Sequence, residues 1–130
     1  MAIQIGDTAT RQRIVTPDTL ACQVGSGSVT VFATPMVAAL MEGAAADLVQ
    51  AALAEGLTTV GTQITVNHNA PSVEGMTVTA EATLLETDGR TFQFSLRAWD
   101  DAGEIATGTH TRVSVKTERF LEKAAQRKEQ

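Results

Sequence analysis

Residues 35–53 constrain this chain most, because small and branched apolar side chains surround the axis of the segment instead of forming a stripe. Thr34-Pro35 opens it with a favoured N-cap followed by a favoured first helical residue, and Gly56 lies near its end. A helix of this kind is expected to be wrapped by other structure rather than laid on a surface. Glu42 sits in the middle and must be neutralised, paired or used, because an uncompensated buried carboxylate costs several kcal/mol. Taken alone, Glu42 is explained equally well by function and by structural pairing.

After Gly56 the chain alternates in a Thr-, Val- and Ile-rich pattern over residues 58–68, 76–87, 90–98 and 104–116, which predicts four long strands. An earlier strand is expected over 8–15. Residues 22–32 hold the break Gly25-Ser26-Gly27-Ser28 followed by an extended Val29-Thr30-Val31-Phe32. Asp88-Gly89 signals a hairpin, Asp100-Asp101-Ala102-Gly103 a slightly longer turn, and Asn69-Ala70-Pro71-Ser72 a loop. These short connections predict an antiparallel meander. The closing residues 120–129 read as a charged helical or frayed tail. One apolar helix followed by a curved antiparallel sheet is an α+β pattern in which the sheet wraps the helix, and 130 residues suit a single domain. In the first long strand, Val60, Ile64 and Val66 share a face with His68, provided that no bulge at Gly61 shifts the phase. Glu42 and His68 would then meet at the rim of the core.

The formal charge is −5, and ten Lys and Arg spread along the chain give no basic footprint for nucleic acid or an anionic membrane. Aromatic residues make up 4%, which argues against base stacking and peptide-groove recognition. Glu42, Asp47 and Gln50 interrupt the one candidate membrane span, and the N-terminus lacks the charged start and apolar run of a secretion signal, so a cytoplasmic protein is expected. Cys22 is the only cysteine and has no CxxC partner, so an inert or buried thiol is the better reading. Two histidines and one cysteine without close spacing argue against a zinc site, and neither phosphate-binding nor dinucleotide glycine pattern is present.

Three residues invite chemistry. Thr34 and Glu42 lie about two helical turns apart and can project toward one cleft, with His68 at a strand end. A hydroxyl, a carboxylate and an imidazole supply the nucleophile or water-orienting group, the base and the proton donor of acyl transfer, and a buried helix N-terminus favours a developing oxyanion. Each also has a plain explanation. Thr34 serves as a cap, His68 bonds a backbone carbonyl, and His110 and Arg112 sit on an exposed strand face or pair with a surface carboxylate.

Three blocks raise the combination above its parts: Phe32-Ala33-Thr34-Pro35-Met36-Val37-Ala38-Ala39-Leu40-Met41-Glu42, then Val60-Gly61-Thr62-Gln63-Ile64-Thr65-Val66-Asn67-His68-Asn69-Ala70-Pro71, then Gly108-Thr109-His110-Thr111-Arg112. In order and spacing they resemble the fluoroacetyl-CoA thioesterase-like branch of the hotdog-fold thioesterases. The resemblance implies a hotdog fold and a homodimer with acyl-CoA at the subunit interface, without metal or organic cofactor. It implies that Thr34, Glu42 and His68 are catalytic. Gly61 would polarise the thioester carbonyl through its N–H, and Arg112 would hold the acyl end. The family's namesake carries a longer, aromatic-containing segment before the helix. Here that stretch is short and holds Gly25-Ser26-Gly27-Ser28, so selectivity for a fluorinated acyl group does not carry over.

The leading expectation is hydrolysis of a small or medium acyl-CoA. Glu42 would activate water or the Thr34 hydroxyl, and His68 would protonate the departing thiolate. A non-catalytic acyl-CoA binding protein of the same fold is the alternative. A dehydratase ranks last, because residues 16–33 lack an Asp–His pair.

Overall fold

The computed structural model describes residues 2–130. Along the chain run β1 (Thr8–Ile14), a 3-10 turn (Pro17–Thr19), α1 (Ala21–Val24), α2 (Thr34–Gln50), β2 (Leu57–His68), β3 (Thr77–Thr87), β4 (Thr91–Asp100), β5 (Gly103–Lys116) and α3 (Thr117–Lys128). All five strands form one antiparallel sheet in the order β1-β3-β4-β5-β2, and α2 packs against it. This is the α+β arrangement of helix and sheet that the sequence predicts.

The core follows from the strand period. Val78, Ala80, Ala82 and Leu84 of β3 and Phe92, Phe94, Leu96 and Ala98 of β4 point to the α2 side and are buried. Against them α2 sets Val37, Leu40, Met41, Ala44, Ala45 and Val49. The alanines on both surfaces let the helix lie close to the sheet. The opposite side of α2 is not covered within the chain: Ala39, Asp47 and Gln50 are exposed and the Glu42 side chain is 42% exposed. The sheet thus wraps one side of the 17-residue helix, and the other side stays open within the single chain. On that open side Arg11 of β1 donates two hydrogen bonds to Asp47, at 2.9 and 3.0 Å, and crosses over Gly43, where any Cβ would collide with its guanidinium.

The meander holds only for β3, β4 and β5. β2 pairs with β5 at the far edge rather than with β3, so residues 69–76 carry the chain past two strands. Three strand spacings amount to about 14 Å, which eight residues span easily, whereas Pro71 has no N–H with which to begin a hairpin ladder. The crossing is pinned at a buried pair: Ser72 Oγ donates to Asp100 Oδ2 at 2.7 Å, and Asp100 Oδ1 accepts the N–H of Ala102 at 2.8 Å. Residues 29–31 form no strand, and only Leu20 and Phe32 make a single bridge there. Cys22, on α1, is exposed rather than buried. No described helix is long and apolar enough to cross a membrane.

Replacing Asp100 by Ala leaves the buried Ser72 hydroxyl without its acceptor and should cost about 1–3 kcal/mol. A urea-denaturation midpoint unchanged from the wild type would contradict this account of the crossing.

Candidate active site

A bulge in β2 decides what faces the helix. Gly61 pairs with Arg112 and Gln63 with Thr111, so Thr62 is an extra residue on β2. Before the bulge, Thr59 and Gly61 face α2. After it, Ile64, Val66 and His68 do, and Val60 is turned to the other side. The expected common face of Val60 with Ile64 is therefore corrected, for the reason anticipated at Gly61, while His68 keeps its predicted orientation.

Around Gly61 the site is tightly built. A Cβ on Gly61 would lie 2.5 Å from Glu42 Oε2 and 3.0 Å from His110 Cε1, so only glycine lets α2 bring its carboxylate to the backbone here. Glu42 Oε2 lies 3.5 Å from Arg112 Nη1 and 3.8 Å from His110 Nε2. Arg112 is almost fully buried. Its Nε donates to Thr59 Oγ1 at 2.8 Å, Nη2 to the Thr59 carbonyl at 2.9 Å and Nη1 to His110 Nε2 at 3.2 Å. With Nε2 accepting, His110 carries its proton on Nδ1 and donates it to the carbonyl of Gln63 at 2.7 Å, just past the bulge. The ring also stacks on Phe94, centroid to centroid 6.0 Å. Burial lowers the pKa of His110 below the usual 6.5; the Gln63 carbonyl opposes this and the Arg112 charge reinforces it. The guanidinium is thus engaged inside the chain by Thr59 and His110, and it faces the Glu42 carboxylate.

The second cluster lies at the start of α2. Thr34 is the first helical residue, with Pro35 next to it and Ala33 as the N-cap, so Thr34 does not cap the helix as expected. Its hydroxyl instead lies 2.8 Å from His68 Nδ1. Burial lowers the pKa of His68 below 6.5, opposed by the nearby backbone of Ala70, and Nε2 is buried without a hydrogen-bond partner. A neutral imidazole beside a hydroxyl is the arrangement of a general base and its nucleophile. A cavity of about 310 Å³ opens beside this pair, lined among others by Gly27, Val29, Val31, Phe32 and Ala70.

Within one chain, then, the five predicted residues fall into two groups, Thr34 with His68 and Glu42 with Gly61 and Arg112. The ion pairs of Glu42 are with His110 and Arg112, and none is with His68. Glu42 and His68 do not meet at the rim of a single subunit, because they lie toward opposite ends of β2. His110, which ranks below the other candidates on sequence alone, joins the second group. The signal was present in its spacing: His110 and Arg112 share a strand face with Gly61's partner position, and both are buried. Among the described residues no cluster of three His, Cys, Asp or Glu is placed to hold a metal ion.

Comparison with known proteins gives a consistent result. Residues 15–118 match the family model described as fluoroacetyl-CoA-specific thioesterase. A fluoroacetyl-CoA thioesterase of Streptantibioticus cattleyicolor is 37% identical over 97 residues, spanning 75% of this chain and 70% of that protein. A solved structure of a fluoroacetyl-CoA thioesterase variant in complex with acetyl-CoA superposes with a TM-score of 0.90 at 30% identity, covering 96% of this chain and 98% of that one. A Thermus thermophilus hypothetical protein of the thioesterase superfamily gives 0.88 at 26% identity, over 98% and 97% of the two chains.

Two histidines with depressed pKa values make stability depend on pH. The unfolded chain takes up protons near pH 6.5 that the folded chain refuses, so stability is constant above that value and falls as pH drops toward the folded pKa values. The urea midpoint should be lower at pH 5.5 than at pH 7.5, and the difference should shrink in His110→Gln. An unchanged difference in that variant would place the acid sensitivity elsewhere.

Proposed function

The chain belongs to the fluoroacetyl-CoA-specific thioesterase family, and from that membership we propose that it hydrolyses a small or medium acyl-CoA to the free acid and coenzyme A. The observation that carries the catalytic assignment is the 2.8 Å contact between Thr34 Oγ1 and the neutral His68. His68 takes the Thr34 proton as the hydroxyl oxygen attacks the thioester carbon. The C–S bond then breaks, and the imidazolium returns that proton to the departing thiolate. Glu42 takes a proton from the water that attacks the resulting Thr34 ester and, as the ester C–O bond breaks, the proton passes to the departing Thr34 oxygen, releasing the acid and restoring both the hydroxyl and the carboxylate. The Gly61 N–H and the N-terminus of α2 stabilise the oxyanion in both steps. Neither metal nor organic cofactor enters, coenzyme A being part of the substrate. The cavity beside Thr34 takes the acyl chain, and its small, glycine-containing wall supports a short or medium acyl group rather than selection for fluorine.

The two groups of site residues become one in a homodimer. β2 is an edge strand of 12 residues with its outer row of backbone groups unpaired, which supports pairing with a second copy. An axis through Thr65 sets Val66 opposite the partner's Ile64. With Thr62 bulged out, it also sets His68 opposite the partner's Gly61, with each pair on a common face. Thr34 and His68 of one subunit would then face Glu42, Arg112 and His110 of the other. A cytoplasmic location is in keeping with the lone cysteine.

Steady-state hydrolysis of an acyl-CoA series should lose about 10²–10⁴-fold in kcat/KM on Thr34→Ala, His68→Ala or Glu42→Gln. Glu42→Gln should in addition accumulate an acyl ester on Thr34, visible by intact mass. Mixing inactive Glu42→Gln and His68→Ala proteins should restore turnover, because each mixed dimer carries one intact site. Wild-type levels of turnover in all three variants would reject the reaction assignment, and failure of the mixture to regain turnover would reject the shared site.

A further inference from the structure

Among the described residues His110 is the titratable group most enclosed by the fold, with 1% of it exposed, and the reaction at Thr34, Glu42 and His68 makes no use of it. Both of its ring nitrogens are engaged. Nδ1 donates to the Gln63 carbonyl at 2.7 Å, Nε2 accepts from Arg112 Nη1 at 3.2 Å, and the ring stacks on Phe94. A buried imidazole with both nitrogens occupied has no free position from which to exchange a proton with a substrate, so His110 is not itself an acid or base of the reaction.

What surrounds the ring shows what else it can do. His110 pairs with Ile64 of β2, just past the bulge, and with Phe94 of β4. A Cβ on Gly61 would lie 3.0 Å from its Cε1, and Glu42 Oε2 lies 3.8 Å from its Nε2. The ring therefore stands against the bulge, the bare glycine, the guanidinium and the carboxylate at once.

The guanidinium depends on it most directly. Thr59 holds Arg112 through Nε at 2.8 Å and Nη2 at 2.9 Å, and His110 is the acceptor that fixes Nη1. With one Nη1 hydrogen on His110, the other is left for Glu42 Oε2, 3.5 Å away. Glu42 needs such a guide, because its side chain is 42% exposed and its ion-pair partners are Arg112 and His110. A half-exposed Glu otherwise spreads over several rotamers. Burial and the Arg112 charge both favour a neutral ring, which agrees with an Nε2 that accepts.

We propose that His110 is a positioning residue for the second half of the reaction: as the Nδ1–H tautomer it sets the Arg112 guanidinium against Glu42, and so aims the carboxylate at the water that attacks the Thr34 ester. This rests on the thioesterase reading above and adds to it a residue and the step that the residue serves. Attack of Thr34 on the thioester draws on His68, so loss of His110 slows release of the acyl group more than its capture.

Three variants separate aiming Glu42 from bracing the bulge. His110→Phe keeps a ring against Phe94 and offers neither nitrogen. His110→Asn carries an amide to the place of Nδ1, and His110→Gln carries one to the place of Nε2. With acyl-CoA, His110→Phe and His110→Asn should release a burst of free coenzyme A, accumulate an acyl ester on Thr34 by intact mass, and turn over about 10²-fold more slowly. His110→Gln should restore most of that turnover. Rescue by Asn and not by Gln would overturn the proposal in favour of a ring that only braces the bulge, and variants that show neither burst nor ester would overturn the step assigned.

Mixed dimers give a readout that general loss of stability would not move. In the complementing mixture of Glu42→Gln and His68→Ala proteins, His110→Phe added to the Glu42→Gln chain should leave turnover intact, whereas added to the His68→Ala chain it should remove most of it. Equal losses from either chain would overturn the positioning role. Nitrogen-15 NMR of the imidazole needs no turnover, and at neutral pH it should show a protonated Nδ1 and a bare Nε2. A charged ring or an Nε2–H tautomer would overturn the proposal. A wild type that hydrolyses no acyl-CoA but shows the Nδ1–H tautomer would remove the thioesterase reading while upholding the arrangement of His110 and Arg112.

Discussion

The bulge at Thr62 is the constraint on which the site depends. A regular strand puts alternate residues on opposite faces, so Thr59 and Gly61 would turn away from α2 if Ile64, Val66 and His68 faced it. One extra residue restores both sets to the same face, and His110 locks the shift by donating to the Gln63 carbonyl immediately after it. The same bulge brings the Gly61 backbone under Glu42, where a side chain would collide with the carboxylate. Strand irregularity, glycine and acid are thus parts of one device, in which the helix delivers a charge to a point on the sheet that only a bare backbone can occupy.

The electrostatics of the acidic cluster differ from what an apolar helix suggests. Glu42 does not carry the full penalty of burial, since much of its side chain reaches solvent within the single chain. The buried member is Arg112, whose guanidinium is satisfied by Thr59 and His110 as well as facing Glu42. Burial alone would be unfavourable for such a charge, and hydrogen bonds that fill its donors are what make it tolerable. Glu42 therefore stands as a positioned, solvent-reachable carboxylate, which suits an acid–base group better than a neutralised core residue.

Openness recurs across the molecule. The uncovered side of α2, the unpaired edge of β2 and the division of the reactive groups into two sets lie in one region, and one two-fold contact along β2 would address all three. Charge is segregated in a related way: arginines on the sheet are matched by carboxylates, while those flanking α3 are not.

Much of this was legible in the residues. Alternation located β2 to β5 within a residue or two, the Asp88-Gly89 turn was marked by its composition, and the apolar run around Glu42 announced α2, because all of these are periodic or local signals. The three sequence blocks pointed to Thr34, Glu42, Gly61, His68 and Arg112, and the fold places each on the element expected. Partnership was beyond local reading. That β2 crosses to the far edge, that Thr34 bonds His68 instead of capping its helix, that His110 stands behind Glu42, and that scattered basic residues gather beside α3 are all set by strand order and one register shift. Sequence period fixes which way a side chain faces along its own element, whereas what it faces depends on contacts between residues tens of positions apart, and those only the packed sheet and helix decide.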